Sequence, residues 1–262
     1  MQLLLGFTLG VLVAVLAWRA NALSESGAVA AALTGGLIFG LGGLPWAALL
    51  LTFFLSSSVL SKAFGRRKIT LNEKFSKGSR RDWGQVLANG GLGALLAIFY
   101  GVTPSPWVWA AFVGSMAAVN ADTWATELGV LSQTPPRLIT TGMIVERGAS
   151  GGVSLLGTLA ALGGATLIGG VTILSGGWVW SLGLAAALGG LAGSLFDSFL
   201  GATVQAIYRC PACQKDTERH PRHLCGAATT QIRGWRWMDN DIVNLLCSFA
   251  GAGVAALIWL LI

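Results

Sequence analysis

The chain alternates between long stretches without any charged or histidine residue and shorter polar segments. Five stretches lack Asp, Glu, Lys, Arg and His: residues 1–18, 26–61, 83–121, 148–196 and 242–262, with lengths of 18, 36, 39, 49 and 21. A helix needs about 20 apolar residues to cross the hydrocarbon layer of a bilayer, which is about 30 Å thick. The first and last stretches therefore predict one membrane-spanning helix each, and the three longer ones predict a pair each.

Turn residues lie near the middle of each long stretch. Residues 40–45 contain three glycines and a proline, 103–106 contain two prolines, and 175–177 contain two glycines. Clusters of Gly and Pro break helices and allow tight reversals. The predicted spans are residues 2–20, 27–42, 45–62, 84–101, 107–131, 151–174, 178–206 and 241–262. Because the second and third are short, the alternative that one of them is re-entrant, with seven crossings in total, stays open.

Composition agrees with a helical bundle inside a membrane. Apolar residues make up 54% of the chain and charged residues 11%, against a usual ~25%, and the mean hydropathy is +0.68. These values exclude an ordinary soluble domain. We interpret residues 1–262 as one all-α integral membrane domain.

Basic residues fall on one side of the predicted bundle. Of 17 Lys and Arg residues, eight lie in 62–82, two in 132–150, six in 207–239, and the last is Arg19. Eight alternating spans put these four positions on the same side, which the positive-inside rule identifies as cytoplasmic, with both termini outside. The net charge of +6 is therefore a topology signal and does not indicate nucleic acid. We expect the plasma (inner) membrane of a prokaryote.

Three acidic residues interrupt the apolar segments: Asp122, Glu127 and Asp197. A charged side chain at the bilayer centre costs ~2.5–3.5 kcal/mol on insertion scales, so each acid needs a compensating role. Asp122 and Asp197 lie on helix stripes of small residues, which let helix backbones approach closely. Paired carboxylates near a membrane surface suit a Mg²⁺–nucleotide site. Glu127 lies about 140° round the helix from Asp122, so a regular helix cannot direct both at one ion.

Other roles stay open for these acids. Each can pair with a Lys or Arg, cap a broken helix, or belong to a proton or ion relay. Glu127 can also share the helix stripe of Asn120, which opens the same segment. The candidate catalytic residues are therefore Asn120, Asp122, Glu127 and Asp197, of which the three acids are the candidate Mg²⁺ ligands.

The first basic segment and the residues after it are candidates for phosphate binding. They include Lys62, Arg66, Arg81 and Asn89. The simpler alternative is a topology anchor that attracts anionic lipid headgroups. Charge density alone does not separate the two.

A Gly-rich turn before the sixth predicted span is a second candidate phosphate site. Gly151, Gly152 and Ser154 lead into a helix N-terminus, where free N–H groups and the positive end of the helix dipole favour phosphate. The turn lacks the Lys-Ser/Thr pair of a P-loop. Its alternative is a flexible turn capped by Ser150.

The last basic segment, residues 207–239, contains a metal-ligand pattern. Cys210 and Cys213 form a Cys-x-x-Cys pair, and His223 and Cys225 follow. Three thiolates and one imidazole make a complete tetrahedral zinc set without an open position, so the ion would stabilise the loop structurally. His220 is the alternative imidazole, and reduced free cysteines are the alternative to zinc.

Polar residues at the start of the last predicted span form one more candidate group. Asp239 and Asp241 alternate with the amides Asn240 and Asn244. They can bind a ligand at the membrane entrance or cap the helix.

Six runs along the chain carry a resemblance to a known family: residues 23–28, 85–91, 120–127, 151–154, 197–202 with Gln205, and 239–244. With these runs the chain resembles the integral membrane family known as domain of unknown function number 92. That family includes transmembrane protein nineteen and the plant phytyl-phosphate kinase of tocopherol synthesis.

The resemblance implies phosphoryl transfer from a nucleoside triphosphate, CTP or ATP, to an isoprenoid monophosphate. It implies Mg²⁺ as cofactor, a lipid tail between helices and a phosphate group at the cytoplasmic surface. The residues expected to contact substrate or phosphate are Lys62, Arg66, Arg81, Asn89, Gly151, Gly152, Ser154, Gln205, Asn240 and Asn244. The rival interpretation is a transporter or flippase for prenyl phosphate or another anionic lipid, with the acids as a proton relay. Nucleotide dependence separates the two.

Overall fold

The structure is a computed structural model that describes residues 1–64, 77, 80–175 and 179–262. Its helices are α1 (Gln2–Arg19), α2 (Glu25–Gly42), α3 (Leu44–Phe64), α4 (Trp83–Val102), α5 (Pro106–Gly129), α6 (Leu155–Ser175), α7 (Trp180–Thr203) and α8 (Asn240–Leu261). Each of the eight predicted spans coincides with one of these helices. The prediction of an all-α membrane bundle is therefore confirmed.

One helix differs in character from the rest. Seven helices in the described part of the chain are long and apolar enough to cross a membrane, and α2 and α3, with 18 and 21 residues, are both among them. The exception is α5, which carries Asp122 and Glu127 and packs against α3, α4, α6, α7 and α8. A helix enclosed by other helices presents little surface to lipid, which explains why it tolerates polar residues.

Glycines bring α5, α7 and α8 into backbone contact. A Cβ atom added at Gly251 of α8 would lie 2.6 Å from the carbonyl oxygen of Gly114 of α5, and one at Gly189 of α7 would lie 2.8 Å from that of Gly251. Gly193 of α7 makes room for Ala118 of α5 in the same way. Small residues at such crossings permit close packing of membrane helices.

The turn between α1 and α2 holds the segment that precedes α4. The backbone N–H of Arg81 donates to the carbonyl oxygen of Ala22 (3.1 Å), and the N–H of Ser24 donates to that of Arg81 (2.9 Å). Ser24 also caps α2, because its Oγ accepts a hydrogen bond from the N–H of Gly27 (3.1 Å). Gly27 has no space for a Cβ, since the carbonyl oxygen of Arg81 lies there. The first helical hairpin therefore positions the backbone of Arg81.

Short strands lie in the segments that connect the later helices. They are β1 (Arg137–Leu138), β2 (Gly152–Val153), β3 (Ile207–Cys210), β4 (Lys215–Thr217) and β5 (Thr230–Arg233). β1 pairs antiparallel with β2, and the other three form an antiparallel sheet in the order β4–β3–β5. Arg233 of β5 donates to the carbonyl oxygens of Gly201 (2.6 Å) and Ala202 (3.2 Å) at the end of α7. These bonds satisfy terminal helix carbonyls and attach the sheet to α7.

Candidate functional site

A polar cavity of about 530 Å³ lies between the ends of α3 to α8 and the segments that connect them. Among the described residues, its charged lining side chains are three basic and four acidic ones: Lys77, Arg81, Arg147, Asp122, Glu127, Asp197 and Glu218. The cavity therefore combines carboxylates, which bind hard cations, with cations that attract phosphate.

Most of the predicted site residues line this one cavity although they are distant in sequence. They are Arg81, Asn89, Asp122, Glu127, Gly151, Gly152, Ser154, Asp197, Gln205, Asn240 and Asn244. Lys62 and Asn120 are not among its lining residues, and Arg66 lies outside the described residues.

Asp122 and Asp197 line the cavity from adjacent helices. Gly193 of α7 packs against Ala118 of α5, and each acid lies one helical turn further along its own helix. This packing brings both carboxyl groups to the same cavity. The Oδ2 atom of Asp197 is buried and has no hydrogen-bond partner in the part of the chain that the structure describes. A carboxylate oxygen of this kind beside a second carboxyl group is suited to binding a cation.

Glu127 lines another part of the cavity, beside a buried arginine. Its Oε1 accepts a hydrogen bond from Oγ of Ser61 in α3 (2.8 Å). The guanidinium group of Arg81 donates to two serine hydroxyls of α3, at 2.9 and 3.2 Å. Burial lowers the pKa of Arg81, and the negative charge of Glu127 opposes that shift. Glu127 therefore stabilises the positive charge of the buried arginine.

Asn120 is buried between helices. Its Oδ1 accepts from Oγ of Ser56 in α3 (2.9 Å), and its Nδ2 donates to the carbonyl oxygen of Gly164 in α6 (2.8 Å). These bonds hold α5 in place relative to α3 and α6. Lys62 is exposed, and its ammonium group donates to the carbonyl oxygen of Ala20 (3.0 Å), at the end of α1.

Glu218 is a cavity residue that the sequence analysis did not identify. It follows β4, and its Oε1 accepts hydrogen bonds from Nε2 of Gln205 (3.0 Å) and Oγ of Ser150 (2.9 Å). Ser150 therefore does not cap α6, contrary to one sequence alternative. Ser154 does so, because its Oγ accepts from the N–H of Gly157 (3.1 Å). The sequence held no signal for Glu218, since only the fold of 207–239 directs it into the cavity.

The Gly-rich turn packs against the end of α7. Gly151 has a φ of +83°, and a Cβ at this position would overlap Ala202. Gly148 has a φ of +75°. Both values lie in the left-handed region, which glycine adopts at little cost. The glycines therefore allow a sharp turn that lines the cavity and contacts α7.

An ion-pair group connects α4 with α8 at the cavity. The ammonium group of Lys77 pairs with Asp82 (2.9 Å) and with Asp241. Burial alone would lower the pKa of Lys77, but its hydrogen bonds to these acids outweigh burial and raise it. Asp82 forms a capping box with Gln85 at the start of α4. Burial opposes ionisation of Asp82, yet the hydrogen bonds from Gln85 and Lys77 lower its pKa overall.

The polar group at the start of α8 divides between the two roles expected for it. Asp239 caps the helix, because its Oδ1 accepts from the N–H of Ile242 (3.1 Å). Asn240 and Asn244 line the cavity. The group therefore combines a helix cap with two amides available to a ligand.

The predicted zinc ligands lie together beside the β4–β3–β5 sheet. The ligand atoms of Cys210, Cys213, His223 and Cys225 all lie within 4.8 Å of one another and can hold a metal ion. His220, the alternative imidazole, is stacked on Tyr208 with ring centroids 4.5 Å apart. The arrangement selects His223 as the imidazole of the cluster.

Comparison with known proteins identifies relatives along nearly the whole chain. The profile of the family described as integral membrane protein DUF92 matches residues 8–252. Protein PGR of Arabidopsis thaliana is 34% identical, over 95% of this chain and 94% of its own. Uncharacterized membrane protein MJ0933 of Methanocaldococcus jannaschii is 32% identical, over 70% of this chain and 75% of its own. Protein VTE6, chloroplastic, of Arabidopsis thaliana is 27% identical, over 90% of this chain and 65% of its own. No solved structure matches the chain.

Proposed function

We propose, because the chain belongs to the integral membrane family DUF92, that it is a membrane kinase for an isoprenoid monophosphate. It transfers the terminal phosphoryl group of CTP or ATP to phytyl phosphate or another prenyl phosphate, and the product is the diphosphate. The observation that carries the proposal is the polar cavity, where carboxylates of α5 and α7 and the basic residues Lys77 and Arg81 line the same space.

The donor set of the cavity fits Mg²⁺. Asp122 and Asp197 offer hard oxygen ligands, and the buried Oδ2 of Asp197 has no hydrogen-bond partner among the described residues. When bound, the ion neutralises charge that develops on the transferred phosphoryl group. Glu127, expected from the sequence as a third ligand, lies on the same regular helix as Asp122 but in another part of the cavity; its proposed role is to position Arg81, through its bond to Ser61 and its negative charge.

The chain's own residues supply positioning and positive charge. Arg81, Lys77 and Arg147 attract the phosphate groups, and Gly151 and Gly152 of the Gly-rich turn line the same cavity without side chains that would fill it. An oxygen of the acceptor phosphate forms a bond to the terminal phosphorus of the donor. The bond from that phosphorus to the bridging oxygen breaks, and the nucleoside diphosphate leaves with the electron pair. The acceptor oxygen is already ionised, so the step needs no covalent nucleophile on the protein.

Product formation tests the proposal directly. Purified protein in lipid nanodiscs is incubated with Mg²⁺, CTP or ATP, and phytyl or geranylgeranyl monophosphate, and the diphosphate is measured by mass spectrometry. We expect diphosphate from the wild type and a loss of about 10²–10³-fold or more in Asp122→Asn and Asp197→Asn, since each removes one charged group that acts on the transition state. Absence of product with either nucleotide, from folded protein, rejects the kinase and favours a transporter or flippase of prenyl phosphate.

We also propose that the Cys/His cluster binds zinc. Three thiolates and one imidazole at mutual distances within 4.8 Å fit a closed tetrahedral site, whose role is structural. Metal analysis of purified protein should find about one zinc ion per chain, and Cys213→Ser should lose it. Cys247→Ser is the matched control, because that thiol is buried in α8 away from the cluster.

The proposed location is the plasma membrane of a prokaryote, with the basic segments and the cavity on the cytoplasmic side. The distribution of Lys and Arg supports this orientation. It also gives the cavity access to cytosolic nucleotide.

A further inference from the structure

An apolar groove of about 290 Å³ lies between the α1–α2 hairpin and the helices α3 and α4. Its walls are almost wholly aliphatic and aromatic, with Leu9 and Val13 of α1, Leu50 and Phe54 of α3, and Val86 of α4 among them. A groove of this composition inside a membrane protein suits a hydrocarbon chain.

The groove and the polar cavity share part of their walls. Arg81, Gln85 and Asn89 line both spaces. Gln85 and Asn89 lie one turn apart on the same face of α4, and Arg81 lies just before the N-cap of that helix. One end of the groove therefore carries a cation and two amides that also line the cavity where phosphate chemistry is proposed.

Glycine keeps the groove open. Gly90 is buried, yet a Cβ at this position would meet no atom within 4 Å. A Cβ at Gly35, on the opposite wall, would meet only Leu50, at 3.8 Å. These positions contrast with Gly193 and Gly251, where a Cβ would collide with neighbouring atoms.

We infer that the groove binds the prenyl tail of the acceptor, with its single phosphate at Arg81, Gln85 and Asn89. This assignment rests on the proposed function and names the acceptor class as a monophosphate with one hydrocarbon chain. Arg81 is suited to the headgroup, because its guanidinium group is held by serine hydroxyls of α3 and lies 5.6 Å from the ring centre of Phe53 in the groove wall. The residue therefore adjoins both the apolar tail and the anionic group.

Chain-length selectivity tests the groove. Gly90→Leu fills it, so kcat/KM for geranylgeranyl monophosphate should fall about tenfold or more, while that for isopentenyl monophosphate stays within about twofold. Gly253→Leu is the matched control, since Gly253 is exposed on α8 and also faces open space. Equal losses for both acceptors, or no loss for the long one, overturn the inference.

Photolabelling keeps the groove testable if the kinase proposal fails. Geranylgeranyl monophosphate with a diazirine at the tail end should label peptides of α1 to α4 in the wild type, and at least about tenfold less in Gly90→Leu. Labelling without diphosphate formation supports the groove and rejects the kinase; turnover with labels confined to α5 to α8 rejects the groove alone. Phosphatidylglycerol should compete for labelling more weakly than unlabelled geranylgeranyl monophosphate. Equal competition by the two would identify a general lipid crevice and also reject the assignment of the groove.

Discussion

Glycine serves opposite purposes at the α5–α7–α8 interface and in the apolar groove. At the interface, Gly189, Gly193 and Gly251 lie against neighbouring helices and leave no space for a Cβ. In the groove, Gly90 and Gly35 face nearly open space. The difference separates two tasks: close backbone packing fixes the distance between two carboxylates, whereas missing side chains elsewhere leave volume for a ligand. The same substitution should therefore lower stability at the interface, where it disturbs packing, and lower ligand binding in the groove, where it fills volume.

The largest stability effect is expected at the tight interface. Gly251→Leu would collide with Gly114 and Ala118 of α5, so it should lower the free energy of unfolding by about 1–3 kcal/mol or more. Gly253→Leu, two residues along the same helix, should change it by no more than about 0.5 kcal/mol. Unfolding in mixed micelles with increasing SDS measures both. Similar losses of stability in the two variants would show that close packing at Gly251 does not stabilise the fold more than the exposed position at Gly253.

A smaller effect is expected from the link between the sheet and the cavity. Glu218 accepts hydrogen bonds from Gln205 and Ser150 from outside the helical bundle, so Glu218→Ala, which removes the acceptor, should lower kcat about tenfold by loosening that wall. Zinc content and the KM of the acceptor should stay unchanged. Cys213→Ser, by contrast, should lose both zinc and activity, because it releases the loop that carries Glu218. Full activity of Glu218→Ala would show that the sheet is separate from the chemistry.

The smallest effect is expected at the start of α4, where the groove and the cavity meet. Asp82→Ala removes a capping box and should cost about 1 kcal/mol of stability, whereas Asp82→Asn retains a cap and loses only the ion pair with Lys77. Thermal unfolding in detergent measures both variants.

The difference between wild type and Asp82→Asn should depend on pH. The folded-state pKa of Asp82 lies below its usual 3.8, so the charged carboxylate stabilises the folded state at pH values above 3.8. That contribution should disappear as pH falls through the lowered folded-state pKa. A difference that stays constant through acidic pH would show that the charge of Asp82 has no part in it.

The helices and the acidic pair were accessible from the sequence for a physical reason. A charge-free stretch of sufficient length has few alternatives to a membrane helix, and an acid inside such a stretch is conspicuous. Small residues one turn before Asp122 and Asp197 then indicated which helices approach each other, and the structure packs Ala118 against Gly193 at that level.

Other features depended on tertiary structure. Asn120 belongs to the same run as Asp122, yet a different helix face directs its side chain to Ser56 and Gly164. Glu218 lies between predicted metal ligands, so spacing associates it with the loop instead of the cavity. The groove had no sequence signal. The sequence contains 37 glycines, and it does not distinguish one that faces open space from one that packs against a neighbouring helix.

The bond network between the α1–α2 turn and Arg81 has a consequence for biosynthesis. Ala22 and Ser24 leave the ribosome well before Arg81, so the helices α2 and α3 are made before their backbone groups can bond to that residue. Glu218 and Asn244 join the cavity wall only after the first seven helices of the described chain have been made. A ribosome that stalls halfway through this sequence would therefore release a fragment with inserted helices and an incomplete cavity, so we expect no activity before α8 has entered the membrane.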